Sequence, residues 1–171
     1  PTWGTQDSVT YSLIWPMMLR DCLLWRRCDP AWLRGKALGL RCLISGVSCY
    51  ENADGLIAGL PGWSFIDWVP SWKVGNAPEG SGLNAPNNLF YLHALLAAAT
   101  VEDALGEPLL AKRCRDKAAT VAAALQKTFW SDARGLLADD AKQTRFSEHS
   151  QCLALLADAL ERAAAVPELA P

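Results

Sequence analysis

The sequence predicts an all-α chain of antiparallel helical hairpins set side by side. Three observations predict it. Apolar residues recur at helical spacing over five stretches, each with a recognisable start or stop signal. A short motif repeats: Asp54-Gly55-Leu56-Ile57-Ala58 returns 80 residues later as Arg134-Gly135-Leu136-Leu137-Ala138, and each copy follows a pair of predicted helices. No alternation of apolar and polar residues is long enough to build a sheet. Hairpins repeated in this way bury a shared core by stacking on their neighbours, and such rows close into a toroid or run on as a solenoid.

The first helix spans 10–27, with Ser12 as a cap and Pro16 in or near its first turn, where proline is tolerated. Its apolar residues cover nearly every face, so it is expected to be buried on more than one side. Asp29-Pro30 is a cap followed by proline at the first helical position. The second helix then runs over 31–49, with Trp32, Leu38, Leu43 and Val47 as core. Asn52-Ala53-Asp54-Gly55 is a turn. Residues 73–86 are rich in Gly, Asn and Pro and form a long loop, and long loops in compact domains are often functional. The third helix covers 84–105, with Leu89, Leu92, Leu96 and Ala99 at helical spacing and Gly106 as a left-handed cap. Glu107-Pro108 opens the fourth, which continues to 127 on a stripe of Leu110, Cys114, Ala118, Val121, Ala122 and Leu125. The short link makes helices three and four an antiparallel hairpin. Ser147 caps a fifth helix over 148–165, with Cys152, Leu153, Leu156 and Leu160 inside.

The 171 residues fit one domain, and half of them are hydrophobic, enough for a sizeable core. The net charge is −2 with acids and bases interspersed, so nothing points to a nucleic-acid partner. No apolar run reaches membrane-spanning length, and no membrane partner is expected. The chain opens without Met or a signal-peptide pattern and reads as a piece of something longer. Six cysteines form no CxxC pair. Cys22, Cys42, Cys114 and Cys152 lie in apolar helical stretches and read as small buried hydrophobes. Neither a metal centre nor a disulfide framework is expected, and free thiols favour a reducing compartment.

The stretch most suited to chemistry is Leu60-Pro61-Gly62-Trp63-Ser64-Phe65-Ile66-Asp67-Trp68-Val69-Pro70-Ser71-Trp72. Its prolines exclude a helix. It holds three of the eight tryptophans and one carboxylate. An indole face takes the C–H face of a pyranose, and an acid accepts hydroxyl hydrogen bonds, so the stretch suits a sugar. It equally suits an aromatic plug that seats a loop on a helical core. Given the repeat, this loop and the one over 139–147 should share the mouth of the row. Asn84 reads as a helix cap and Asn88 as a residue pointing into that mouth. Glu148 and His149 open the fifth helix, either complementing its dipole or lining the site. His93 reads as a satisfied core or groove histidine, and Glu79 as solvated.

Four blocks in this order carry a family resemblance. They are the stretch just quoted; Asn87-Asn88-Leu89-Phe90-Tyr91-Leu92-His93-Ala94-Leu95; Phe129-Trp130 with Gly135-Leu136; and Ser147-Glu148-His149-Ser150-Gln151 with Ala154-Leu155. Together they resemble the six-hairpin (α/α)6-barrel catalytic domain of bacterial α-L-rhamnosidases and their relatives. The resemblance implies a partial (α/α)6 toroid and a carbohydrate substrate, with Asp67, Trp63, Trp68 and Trp72 contacting the non-reducing-end sugar. It implies an inverting hydrolase of terminal α-L-rhamnosyl or similar sugars with no cofactor. The general acid is expected in a segment before residue 10 and the base beyond 171, so the isolated piece is expected to be inactive. Missing neighbours would leave apolar hairpin edges that self-associate. A helical-repeat scaffold, or another α/α-toroid enzyme such as a trehalase-like or glucoamylase-like hydrolase or a polysaccharide lyase, would share much of this pattern. A sugar site predicts Asp67, Trp63, Trp68 and Glu148 around one concavity; a scaffold predicts them dispersed or fully buried.

Overall fold

Five helices carry the fold, seen in a computed structural model that describes residues 8–26, 28–80 and 82–157. They are α1 (Val9–Arg26), α2 (Pro30–Ser48), α3 (Ala85–Ala104), α4 (Pro108–Phe129) and α5 (Glu148–Leu156). The two-residue strands β1 (Trp130–Ser131) and β2 (Leu136–Leu137) pair antiparallel and close the second Gly-Leu turn. The all-α partial toroid expected from the sequence is the fold observed. The part of the fifth helix expected beyond residue 157, with Leu160, lies outside the described residues.

The central helix is α3. Fifteen of its twenty residues are buried, because it packs on α1, α4 and α5 and also meets α2. Leu13 of α1 shares a core with Leu89, while Leu19 meets Ala98 and Val101 farther along, so α1 and α3 run parallel. In α2 the order is reversed: Leu33 and Leu40 lie with Ala98 and Val101, and Val47 with Leu89 and Tyr91. Thus α1, α3 and α5 form one layer and α2 and α4 the other. The α3–α4 hairpin is set by Gly106, whose φ of +79° suits a residue without a β-carbon. The Glu107 N–H bonds to the Glu102 carbonyl and the Gly106 N–H to that of Asp103, closing α3 as a Schellman motif.

Several local expectations are corrected. Helix α1 begins earlier than expected, which puts Pro16 in its interior, where it deletes one backbone hydrogen bond. Ser12 is not its cap: its hydroxyl donates back to the Ser8 carbonyl. Nor is α1 buried all round; Tyr11, Met18, Leu24 and Trp25 are exposed. In α2 the buried stripe is Leu33, Ala37, Leu40 and Val47. Trp32 and Leu38 fall off that stripe and face outwards. In α5 the buried residues are Ser150 and Ala154, whereas Cys152 and Leu156 are exposed. Apolar identity alone did not fix the phase of these helices.

The cysteines also differ from expectation. Cys22 and Cys28 form a disulfide, their Cα atoms 6.1 Å apart across the end of α1. Cys42, Cys49 and Cys152 are exposed, and only Cys114 is half-buried, its thiol pKa raised mainly by burial.

The 80-residue repeat has a structural counterpart that positions both loops of the mouth. The Asn88 side chain accepts from the Ile57 N–H and donates to the Ile57 carbonyl and the Asn84 carbonyl. The Gln151 side chain does the same for the Leu137 N–H, the Leu137 carbonyl and the Ser147 carbonyl. Each amide is the fourth residue of its helix, α3 or α5. Each Gly-Leu turn is therefore held, at the residue after its leucine, by the helix that follows.

Candidate functional site

The aromatic loop over 60–76 has no α-helix, as its prolines require, and only a short 3-10 turn at Lys73–Gly75, and it is held at both ends. Its start bridges to Ser8, next to α1, through Gly62, and the Thr10 hydroxyl donates to the Phe65 carbonyl at 2.6 Å. It folds back on itself where the Ile66 and Asp67 N–H groups both bond to the Gly75 carbonyl. Gly75 has φ +74°, and a β-carbon there would run into the Phe65 ring. Phe65 is the hub of the loop: Trp63 and Trp68 pack on it with centroids at 4.9 and 5.2 Å, and Tyr11 stacks parallel at 6.1 Å. Val74, a β-branched residue with φ +46°, occupies the left-handed region at the far side of the loop. Strain of this kind collects at functional sites.

Opposite this loop lies the second one. Asp139 is buried, and one of its oxygens accepts the Ser147 and Ser150 hydroxyls at 2.7 and 2.6 Å. Its backbone N–H bonds to the Arg145 carbonyl, and its carbonyl accepts from Ala85 at the start of α3. Asp140 accepts from the Thr144 and Arg145 N–H groups and the Thr144 hydroxyl, and these bonds hold its carboxyl below the usual range despite burial. This loop ends at the Ser147 cap, so Glu148 and His149 emerge on the first turn of α5.

The two loops meet. His149 Nε2 lies 2.9 Å from Asp67 Oδ2, and the His149 ring packs on Trp72 with centroids 5.2 Å apart. Between them is an open cavity of about 490 Å³, lined by Trp72, Ser71, Asp139, Arg145, Phe146, Glu148 and His149 among others. The other Asp67 oxygen accepts the Trp68 N–H at 2.7 Å. These two bonds, the one from His149 foremost, lower the Asp67 pKa below its ordinary 3.8. An ionised carboxylate only accepts, so His149 Nε2 carries the proton of that bond. Four buried side-chain atoms have no hydrogen-bond partner among the described residues: Ser64 Oγ, Asn76 Oδ1, Asn87 Oδ1 and His149 Nδ1. All four belong to the aromatic loop or to the first turns of α3 and α5. Unbonded buried polar atoms are uncommon in proteins, and of these four residues His149 lines the cavity.

The residues singled out from sequence divide. Trp72, Glu148 and His149 line this opening, and Asp67 is joined to it through its bond with His149. Trp68 is 69% exposed and packs on Phe65 and Trp63 in the aromatic loop, outside the cavity lining. Trp63 is turned into the loop's own cluster and donates its indole N–H to the Val74 carbonyl. Asn88 does not reach the mouth: it is fully buried and its amide is consumed by the turn at Ile57. Asn84 caps α3 as expected, accepting from the Asn87 N–H. His93 is a satisfied core histidine beside the Leu153 carbonyl, and Glu79 is exposed. Sequence reasoning placed the second loop at the mouth but missed Asp139, Arg145 and Phe146 as lining residues. The signal was the Asp139-Asp140 pair directly after the repeated turn.

Comparison with known proteins agrees with this architecture. The profile of the bacterial alpha-L-rhamnosidase six-hairpin glycosidase domain matches residues 29–170. Among solved structures, a family 78 glycoside hydrolase rhamnosidase of Bacillus sp. GL1 superposes with a TM-score of 0.77 at 19% identity, covering 95% of this chain and 17% of that one. A Klebsiella oxytoca rhamnosidase with rhamnose bound superposes with a TM-score of 0.76 at 22% identity, covering 92% of this chain and 28% of that one. The chain thus spans less than a third of the length of either. No curated protein matches it by sequence.

Proposed function

The chain belongs to the bacterial α-L-rhamnosidase six-hairpin glycosidase domain family, and from this we propose that its two loops form one wall of the sugar site of an inverting glycosidase. The substrate is a terminal α-L-rhamnosyl group or a similar sugar. One observation carries the reading: His149 is brought onto both Asp67 and Trp72 of the aromatic loop, 82 residues from Asp67 in the chain. There the ionised Asp67 accepts sugar hydroxyls, His149 orients it, and Trp68 offers an exposed indole face to the C–H surface of a pyranose. Of the four residues whose clustering would favour a sugar site over a scaffold, Glu148 lines the cavity and Asp67 joins it through His149, whereas Trp63 and Trp68 pack on Phe65 in the loop's own cluster.

Asp67 is a binding residue in this proposal and not the general acid. A general acid must hold its proton near neutral pH, which requires a raised pKa, and Asp67 is shifted downwards. Inversion needs an acid and a base about 6.5–9.5 Å apart with room for water between them. One Asp139 oxygen is already committed to two serine hydroxyls. In this proposal neither Asp67 nor Asp139 is a member of that pair, and the isolated chain binds the sugar without turning it over.

The test is titration of the full chain with L-rhamnose while following tryptophan fluorescence, with D-glucose as the control. Saturable quenching or enhancement by L-rhamnose is expected, weakened about tenfold in Asp67→Asn through loss of a charge-assisted hydrogen bond. No response to L-rhamnose, or an equal response in the variant, overturns the proposal.

A further inference from the structure

The layer of α2 and α4 holds a second concavity, away from the mouth. Helices α2 and α4 both pack on α3, and the groove between them has a volume of about 270 Å³. Its floor is apolar: Leu95 and Ala98 of α3, with Leu40 and Ile44 of α2 on one side and Leu110 of α4 on the other. Both ends are closed by polar groups. At one end Arg41 grips the buried Glu102 with two hydrogen bonds, at 2.9 and 2.7 Å. At the other, Lys117 bonds both Glu51 oxygens at 2.7 Å, and the Tyr91 and Ser48 hydroxyls complete the network.

Three cations, Arg41, Arg113 and Lys117, and one carboxylate, Glu102, line the groove, and Glu107 and Glu51 beside it also pair with Arg41 and Lys117. Arg41 and Lys117 are paired, whereas Arg113 makes no ion pair among the described residues. An apolar trough with one uncommitted guanidinium on its wall is complementary to a molecule with an apolar body and one anionic head.

We propose that this groove binds a small organic carboxylate, its apolar body on Leu95 and Ala98 and its carboxylate on Arg113. The volume lies just below the roughly 300 Å³ at which small-molecule pockets begin, so the ligand is the size of one aromatic ring with a short acid chain. The site is separate from the sugar-binding reading and does not depend on it.

The probe is 4-phenylbutyrate, titrated calorimetrically into the full chain beside its uncharged amide. Arg113 is exposed and outside the core, so Arg113→Ala should fold, as circular dichroism would confirm. Saturable binding of the acid is expected. The amide should bind about fivefold more weakly, and the variant should weaken the acid by a similar factor and no longer tell acid from amide. Cys114 lies in the groove while Cys42, Cys49 and Cys152 are exposed. Bound acid should therefore slow alkylation of Cys114 and leave the other three unchanged. Absence of saturable binding, equal affinity for acid and amide, or no protection of Cys114 overturns the proposal.

Discussion

At the mouth, Asp67 is held by two different neighbours although its side chain is 57% exposed. The bonds from His149 and the Trp68 N–H exist only when the loop and α5 are in place, and so they lower its pKa only in the folded state. A lowered folded pKa contributes stability that is present above the unfolded value and lost as pH falls through the folded one. The loop-to-α5 contact should therefore be fully formed at neutral pH and weaken below about pH 3.8, the ordinary value for this group. Hydrogen exchange of the amides over 60–76, compared with Asp67→Asn, checks this. The variant should exchange faster than the wild type at neutral pH, and the difference should vanish as pH drops through that window. A difference that persists unchanged in acid would show that the pair does not hold the loop. The same neighbourhood explains why the three loop tryptophans could not be ranked from sequence. Trp63 is a plug, Trp72 is buried against His149 with 7% of its surface exposed, and Trp68 is exposed. The loop holds both packed and exposed rings, and only the fold-back at Gly75 decides which is which.

Among the elements, the two turns and the amides that hold them form the strongest regularity. A side-chain amide offers both a donor and an acceptor, so one residue satisfies the N–H and the carbonyl of a turn that would otherwise be buried unpaired. Asn88→Ala should cost about 3 kcal/mol in urea unfolding, because it strands both backbone groups of Ile57 in a dry interior. Asn88→Asp should not rescue it, since a carboxylate cannot donate to the Ile57 and Asn84 carbonyls. Gln151→Ala should cost less, about 1–2 kcal/mol, because that site is only half-buried and water can replace part of the amide. Equal costs at the two positions, or an Asn88→Ala protein as stable as wild type, would mean the clamps are incidental. The turns were legible because Gly55 and Gly135 announce them, and both do have positive φ, +85° and +62°. The clamps were not, because an asparagine near a helix start looks the same whether it faces a cavity or a buried turn. Helix existence was legible for a similar local reason: caps such as Asn84, Ser147 and Asp29 act through bonds to nearby backbone. Helix phase was not, since Trp32 and Leu38 are as apolar as Leu33 and Leu40 and only the neighbouring helix distinguishes them.

The molecule as a whole is a row of hairpins whose middle is saturated and whose edges are not. Helix α3 has a neighbour from its own layer on each side, α1 and α5. Helix α1 has four buried residues and exposes Tyr11, Met18 and Trp25, which lie seven apart on one face, with Leu24 beside them. At the other end α5 exposes Leu155 and Leu156. These edges explain the misplaced expectations for α1 and α5: both sequences are written for burial that the described residues do not supply. We propose that the edges bind one another in a second copy of the chain. The row already shows the geometry, because α1 packs on α3 as α3 packs on α5, and an α5 edge set against another copy's α1 would extend the same parallel layer. Such a contact is head-to-tail and does not close on itself after two copies unless the row's curvature allows it. Sedimentation velocity over a wide concentration range should therefore show a weight-average size that rises with concentration and spans more than one oligomer. Met18→Glu with Trp25→Glu places two charges on exposed positions, so it should leave the fold intact and abolish the rise. A chain that stays monomeric at high concentration, or a double variant that associates as readily as the wild type, would show that these edges are tolerated by solvent and do not drive association.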